Sequence, residues 1–277
     1  MSRRRLALSL LALGAPVTLG AQLAAHPTAA HDTARVLPIA ERHGDVHGSA
    51  APHWSYLGEE GPARWGMLSR AWAVCGSGRR QSPVNVRAPR RAMAPADIAG
   101  EWVAGTARMT DNGHTIQVDV TRGGALRVGE TSHQLLQFHF HTPSEHAIAG
   151  RRFPAEVHFV HRDAEGHLAV LGVPIVEGEP SDEWTALLGA LPRRPGEAVT
   201  VPGLVDVTTL LNGTNLSGEV VYRYAGSLTT PPCGEGVAWL LRERPIRLSA
   251  GQLERLATAM GNNARPVQAL NGRAVEY

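Results

Sequence analysis

The chain contains no lysine, and all 27 of its basic residues are arginine. Catalysis through a lysine Schiff base is therefore excluded. The 25 acidic residues nearly balance the arginines, which leaves a formal net charge of +2 and no basic stripe of the kind that binds nucleic acid. We expect no nucleic-acid partner. The 277 residues also lack an internal repeat, and their even mixture of apolar and charged residues favours one large globular domain.

The amino terminus lacks an apolar run long enough for a confident membrane span. Residues 6–19 are apolar, but glycine and proline interrupt the run and it is short for a transmembrane helix. Because it follows three arginines and precedes small residues, it is typical of a signal peptide, expected over residues 1–25. The secretory and twin-arginine routes both stay open. We expect a flexible leader at residues 26–50, a folded domain at residues 51–277, and a periplasmic or secreted protein without a stable membrane anchor.

Cysteine is scarce, with only Cys75 and Cys233 in the chain. An exported protein with two thiols most often pairs them. A bridge across so long a loop is worth on the order of 5 kcal/mol by the chain-entropy argument. Because Cys233 directly follows two prolines, the bridge would fix the segment that carries Thr229. Two buried free thiols are the alternative.

A run rich in histidine, QFHFH, occupies residues 137–141. Polar and aromatic residues alternate in it, as they do in a β-strand with two different faces. Gln137, His139 and His141 therefore share one face, and the two phenylalanines point to the other.

A second run, AEVH, ends at His158, and Glu156 and His158 share a face by the same rule. If the two strands lie side by side, His139, His141 and His158 converge. Three neutral imidazoles with a fourth position open are typical of a catalytic rather than a structural Zn²⁺ site. Gln137 and Glu156 can each accept the second ring N–H of a ligating histidine. Each histidine taken singly is also compatible with a hydrogen-bonded core position.

Strand-like runs bounded by glycine, proline or aspartate outnumber helical ones. Two helices are predicted, one capped by Ser181 and ending near Leu191, the other with a capping box at Ser249 and a stop at Gly261. The predicted strands cover residues 115–120, 134–141, 156–161, 168–176 and 237–241. Spacing alone therefore predicts an α+β domain.

Further motifs occur in a fixed order along the chain. They are HWSY at 53–56, QSPVN at 81–85, NGH at 112–114, TPSEH at 142–146 and GSLTTPP at 226–232. Together with QFHFH and AEVH, they closely resemble the α-class carbonic anhydrases over about residues 52 to 273. The resemblance implies a single domain built on a large, mostly antiparallel twisted sheet with short peripheral helices. It also implies cis peptide bonds at Ser82-Pro83 and Pro231-Pro232.

The resemblance further implies an activity, the reversible hydration of CO₂ to bicarbonate and a proton. Zn²⁺ on the three histidines would carry a hydroxide that attacks CO₂. Thr229 would orient that hydroxide by committing its own proton to Glu145. His114 would pass the proton to solvent, with Tyr56 and Asn112 ordering the intervening waters.

The expected CO₂ site also follows from the resemblance. Its predicted lining is apolar apart from one threonine and comprises Val160, Val170, Leu228, Thr230 and Trp239. Taken singly, each apolar member is equally typical of a hydrophobic core. His146 and His161 are expected to be buried structural residues. CO₂ and bicarbonate would be the small-molecule partners, and a homodimer is compatible with the sequence.

Two alternatives belong to other functional classes. The spacing His139-x-His141-x₃-Glu145 matches the first metal motif of the cupin oxygenases, in which Glu145 would bind iron or manganese. The second cupin motif is missing, however, and GSLTTPP would be unexplained. The other alternative is a non-catalytic anhydrase-like protein kept for binding or zinc storage. Such relatives usually lose a ligand histidine, whereas all three are present here.

Overall fold

The computed structural model describes residues 52–92 and 97–277, which lie within one compact unit. The predicted signal peptide, the leader and the first residue of the predicted domain lie outside the described residues. No helix in the described part of the chain is long and apolar enough to cross a membrane.

Thirteen strands and five α-helices form the regular structure of the described residues, beside two short 3₁₀ turns at Gly58–Glu60 and Arg70–Trp72. The strands are β1 (Asn85–Val86), β2 (Ile98–Trp102), β3 (Ala107–Asp111), β4 (Ile116–Val120), β5 (Gly124–Val128), β6 (Thr131–His141), β7 (Ala147–Ile148), β8 (Ala155–Arg162), β9 (Leu168–Glu177), β10 (Ala198–Thr200), β11 (Val221–Ser227), β12 (Glu235–Arg242) and β13 (Ile246–Leu248). The helices are α1 (Trp65–Leu68), α2 (Val74–Ser77), α3 (Asp182–Gly189), α4 (Val207–Leu210) and α5 (Ala250–Met260).

Eleven of the strands form one sheet in the order β10-β3-β4-β6-β8-β9-β12-β11, with β13 beside β9 and β5 joining β2 to β6. Neighbouring strands are antiparallel, except that β9 runs parallel to β12 and β13. β1 and β7 form a separate parallel pair. The predicted fold class is confirmed: one domain, a large twisted and mostly antiparallel sheet, and a few short helices.

The five predicted strands and both predicted helices are present, with ends shifted by a few residues. The Ser181 hydroxyl accepts the Trp184 N–H at the start of α3. At α5, Ser249 and Gln252 form the predicted capping box, and Gly261 ends the helix at a φ of 64°.

A β-bulge in β6 decides which side chains face the core. Leu135 pairs with His161 on β8, whereas Gln137 pairs with Val160, so Leu136 is the extra residue. An extra residue reverses the alternation of side chains beyond it. Leu135 and Phe138 consequently both join the main hydrophobic core. The bulge turns Gln137 and the two histidines after it away from that core.

Candidate metal centre

The three histidines of the QFHFH and AEVH runs lie together on the β6–β8 strand pair. His139 is paired directly with His158 across the ladder. The ring centroids of His139 and His141 are 5.1 Å apart, those of His139 and His158 are 5.3 Å apart, and those of His141 and His158 are 4.6 Å apart. One nitrogen from each ring lies within 4.8 Å of the other two.

Each of the three imidazoles has its second nitrogen held by an acceptor. His139 Nδ1 is 2.9 Å from Gln137 Oε1, and His158 Nε2 is 2.8 Å from Glu156 Oε1. His141 Nδ1 is 2.8 Å from the backbone oxygen of Asn263. The acceptors fix the tautomers, so that His139 and His141 present Nε2 to the shared space and His158 presents Nδ1.

The imidazoles are held in the neutral state that metal binding requires. Burial, followed by the charges of His141 and His158, holds the pKa of His139 well below its usual range. Burial lowers the pKa of His141 to about 4, and it also lowers the pKa of His158. His141 Nε2 is buried without a hydrogen-bond partner among the described residues. An unpartnered imidazole nitrogen beside two other imidazole nitrogens fits a Zn²⁺ ion.

Glu156 belongs to a buried chain of hydrogen bonds behind the metal centre. Its carboxylate accepts from the ring of His158 at 2.8 Å and from the ring of His146 at 2.6 Å. His146 Nε2 is 2.6 Å from the Tyr224 hydroxyl, which donates to Ser82 Oγ at 3.0 Å. Burial would raise the pKa of Glu156, but His146 and His158 overcome it and hold that pKa well below its usual range. Glu156 is therefore a charged partner for His158.

Glu145 is fully buried beside the three histidines. Its Oε2 lies 3.5 Å from His141 Nε2 and 3.9 Å from His158 Nδ1, and its Oε1 accepts the backbone N–H of Arg265 at 2.8 Å. Burial raises the pKa of this carboxyl, and the Thr229 hydroxyl is close enough to oppose that rise. Oε2 nevertheless makes no hydrogen bond of normal geometry with the described residues.

The segment that carries Thr229 is tied down by the predicted disulfide, which is confirmed between Cys75 and Cys233. The Cys233 N–H donates to the Thr230 oxygen at 2.8 Å. The buried Arg265 side chain donates to the Cys75 oxygen at 2.9 Å. The disulfide therefore connects the Thr229 segment with the backbone that supports Glu145. Both predicted cis bonds are present, and a third one, at Thr142-Pro143, was not predicted.

Three of the residues expected to line the CO₂ site lie in the sheet row next to the histidines. Val160 pairs with Val170, and Val170 pairs with Trp239. These three side chains form one apolar cluster with the partly buried Leu228. Thr230 is half-buried at the start of the following turn. The row is continuous with the metal centre because Val160 lies two residues beyond His158 on the same face of β8.

His114 stacks on Trp54, with ring centroids 3.7 Å apart and an interplanar angle of 7°. Burial, followed by the charge of His53, lowers the pKa of His114. Asn112 Oδ1 accepts the backbone N–H groups of His114 and Thr115, at 3.0 and 2.9 Å, and so shapes the turn that presents the imidazole. Tyr56 lies 5.4 Å from Trp54 between ring centroids. Burial, followed by the charge of Glu145, raises the pKa of Tyr56 well above its usual value.

Sequence reasoning missed four residues of this site. Asn263 and Arg265 follow α5. Their backbone groups bind His141 and Glu145, respectively, and no local sequence pattern predicts these contacts. Trp54 lies in the HWSY motif, but the sequence assigned it no role. Gly172 could have been found from the sequence, since a glycine inside a strand indicates that another group approaches the backbone closely. It pairs with His158, and a Cβ there would lie 2.9 Å from Glu156 Oε1.

Comparison with known proteins agrees with this geometry. The family model of the eukaryotic-type carbonic anhydrases matches residues 60–277. A carbonic anhydrase of Pectobacterium carotovorum is 40% identical over 225 residues, which cover 80% of this chain and 90% of the relative. One of Neisseria gonorrhoeae is 40% identical over 232 residues, covering 83% and 89%.

A solved structure extends the likeness to the fold. The α-carbonic anhydrase of Thermovibrio ammonificans, in complex with the inhibitor sulfanilamide, is 38% identical with a TM-score of 0.76. The match covers 82% of this chain and 100% of that chain. The cupin alternative is wrong, since sequence and fold both match another family. The chain belongs to the eukaryotic-type carbonic anhydrase family of enzymes.

Proposed function

We propose that the chain catalyses the reversible hydration of CO₂ to bicarbonate and a proton, with Zn²⁺ held by His139, His141 and His158. One observation carries the proposal: three neutral imidazoles converge, each with one nitrogen free and the other fixed by an acceptor. Zn²⁺ bound there supplies a Lewis acid that makes water nucleophilic near neutral pH.

Thr229 and Glu145 orient the attacking water. A threonine hydroxyl has a single proton to donate. The Arg265 N–H occupies Glu145 Oε1, which leaves Oε2 as the acceptor for that proton. The Thr229 oxygen then accepts from the attacking water and turns its lone pair toward CO₂. Glu145 has to be ionised for this purpose: burial raises the pKa of its carboxyl, and the Arg265 N–H and the Thr229 hydroxyl oppose that rise.

CO₂ is apolar, and the proposed site for it is the wall of Val160, Val170, Leu228 and Trp239. The wall is proposed to receive the apolar substrate CO₂. His114 has the complementary role, the removal of the charged product, a proton. Trp239 is held in place by its indole N–H, which donates to the Ser227 oxygen at 2.9 Å. Thr230, which is half-buried two residues beyond Leu228, is the proposed polar contact for bicarbonate.

His114 moves the proton from the reaction site to solvent, with Tyr56 and Asn112 ordering water on the way. Its lowered pKa keeps the imidazole neutral at pH 7, which is the state that accepts a proton. His114 is half-buried, and its backbone oxygen accepts from Asn263 Nδ2 at 3.1 Å, the residue whose own oxygen holds His141. The reaction is proposed to take place outside the cytoplasm, after removal of the amino-terminal signal, and the disulfide supports that compartment.

The test combines metal content with CO₂ hydration. Wild-type protein should retain one zinc per chain after dialysis and should hydrate CO₂, and sulfanilamide should inhibit it. His139→Ala should lose tight zinc binding and hydration together, because one of three protein ligands is gone. His53→Ala, which removes an exposed histidine outside the metal centre, should retain its zinc. Zinc-loaded wild-type protein that does not hydrate CO₂ would identify a binding protein instead of an enzyme.

A further inference from the structure

Asn263 is a buried amide in the segment after α5, and its side chain forms three hydrogen bonds with backbone groups. Its exposed fraction is only 1%. Its Nδ2 donates to the backbone oxygen of Phe140 at 2.9 Å and to that of His114 at 3.1 Å. Its Oδ1 accepts the backbone N–H of Thr142 at 2.8 Å. Because the amide has two N–H donors, it uses both of them to join two different segments of the chain.

The chemistry of its partners fixes the orientation of the Asn263 amide. Two partners are carbonyl oxygens, which only accept, and the third is an N–H group, which only donates. The opposite orientation would place Oδ1 against the two oxygens and Nδ2 against the N–H, and none of the three hydrogen bonds would form. Buried backbone groups without partners cost free energy. The side chain is therefore held in one orientation between the two segments.

The main chain of Asn263 contacts the candidate metal centre. Its backbone oxygen accepts from His141 Nδ1 at 2.8 Å. One residue thus binds a predicted zinc ligand with its main chain and the backbone of the predicted proton carrier, His114, with its side chain. The other hydrogen bonds of the His114 turn differ from this contact. The Asn112 bonds lie within the turn itself, and the Thr115 hydroxyl binds the Phe140 oxygen at 2.6 Å without contacting His114.

We propose that Asn263 is a positioning residue that fixes His114 relative to His141, and thereby the path by which the proton leaves the reaction site. Proton transfer needs its donor and acceptor within hydrogen-bond reach, directly or through water. A small displacement of one group can therefore slow the step strongly. The Asn263 side chain acts through His114 and touches no reacting atom. This role rests on the proposed function, because only a hydrating enzyme has a proton to export.

The position of His114 can be measured without turnover, from the NMR signals of its ring in zinc-loaded protein. The Trp54 indole, stacked on it at 3.7 Å between ring centroids, shifts those signals. His114→Ala assigns them, and Trp54→Ala gives their position in an unstacked ring. Asn263→Ala removes the amide but retains the backbone oxygen that binds His141. It should keep one zinc per chain after dialysis, and its His114 signals should move toward the unstacked position.

Turnover of Asn263→Ala in dilute buffer should fall several-fold, and no further than the about 10- to 100-fold expected when His114 itself is lost. Exchange between CO₂ and bicarbonate at equilibrium should hardly change, because it needs no proton to leave. Added imidazole should restore turnover. Asn263→Leu fills the volume of the amide with apolar atoms and should give the same results. It replaces Asn263→Ala in both measurements if the smaller side chain prevents folding.

Thr142→Val is the matched control. It removes the bond from the Thr142 hydroxyl to the Gly261 oxygen at 2.6 Å, which also joins the end of β6 to the segment after α5, and it keeps the bond from Asn263 to His114. It should equal wild type in both measurements. The proposal is overturned if the Asn263 variants leave either the ring signals or the turnover in dilute buffer at wild-type values, or if Thr142→Val changes both equally. Zinc-loaded wild-type protein without hydration activity would refute the proposed function instead.

Discussion

The two faces of the β6–β8 strand pair are built from alternating residues of the same two strands, yet they perform opposite tasks. On one face, Phe138 and Phe140 are fully buried in the main hydrophobic core. On the other, His139 and His141 present free nitrogens to a shared space. The core face gains its free energy from removing apolar surface from water. The polar face retains unsatisfied nitrogens that only a ligand can satisfy. The packing of the core face thus fixes the positions of the histidines on the polar face.

Histidine occurs on both faces of β8 and shows how far position alone determines its chemistry. His158 faces the candidate metal centre, where Glu156 fixes its tautomer. His161 faces the core, is fully buried as predicted, and accepts the Trp102 indole N–H at 3.2 Å on Nε2. Burial lowers the pKa of His161 to about 3. Both imidazoles are neutral, but His158 has a nitrogen free for metal and His161 uses its own as an internal acceptor.

The largest effect is expected from Phe138→Ala on the core face. Removing a fully buried phenylalanine should lower the free energy of unfolding by about 3–5 kcal/mol. Because the histidines point away from that cavity, the folded variant should still bind one zinc per chain. Denaturant unfolding and metal analysis test the two halves of this statement. Loss of zinc from folded Phe138→Ala protein would show that the two faces are not independent.

The second prediction concerns pH and the core-face histidine. The pKa of His161 is about 3 in the folded state against a usual value of 6.5, so the unfolded chain binds more protons between these values. Stability is therefore complete above pH 6.5 and should fall as the pH drops below it, by up to about 1.4 kcal/mol per pH unit from this residue. His161→Gln can still accept from Trp102 but does not titrate. Its unfolding free energy should fall less steeply with acid than that of wild type, and equal slopes would contradict the assignment.

Gly172→Ala tests whether zinc binding requires the present position of the Glu156 carboxylate. The added Cβ would lie 2.9 Å from Glu156 Oε1, which His146 and His158 both hold in place. We expect Glu156 to shift and zinc to dissociate about 10- to 100-fold faster, the usual effect of disturbing a ligand's hydrogen-bond partner. Chelator-driven release measures the rate. Gly251→Ala, where nothing lies within 4 Å of the added carbon, serves as the control.

His114→Ala should have the smallest effect on stability and on zinc binding, because it leaves both faces of the strand pair intact. Turnover in dilute buffer should fall on the order of 10- to 100-fold, at or below the low end of what a positioned acid–base group contributes. Exchange between CO₂ and bicarbonate at equilibrium should hardly change, and added imidazole should restore turnover in a saturable way. Trp54→Ala, which removes the stacking partner of His114, tests in the same assay whether the stacked position of the imidazole matters. A His114→Ala protein as fast as wild type in dilute buffer would mean that protons leave by another route.

Most of the candidate metal centre could be predicted from two short runs of sequence, because strand alternation is a local property. The face shared by Gln137, His139 and His141 follows from a period of two residues. The hydrogen bond from His139 to Gln137 joins residues of one strand and follows the same rule. The partner of His141 could not be found in this way. It is the oxygen of Asn263, 122 residues away, and nothing near either residue encodes that contact.

The sequence by itself therefore determined the strands, their polar and apolar faces, the capped helices and the pair of cysteines, since each depends on neighbours or on residue type. The tertiary structure alone decided how β9 and the segment after α5 approach those strands. Only that approach makes Gly172 necessary and directs the Arg265 N–H to Glu145. It also stacks His114 on Trp54 and joins the Asn263 amide to the His114 oxygen. The physical reason is that such contacts join residues far apart in the chain, so their geometry is fixed by the packing of the whole sheet and by no local pattern.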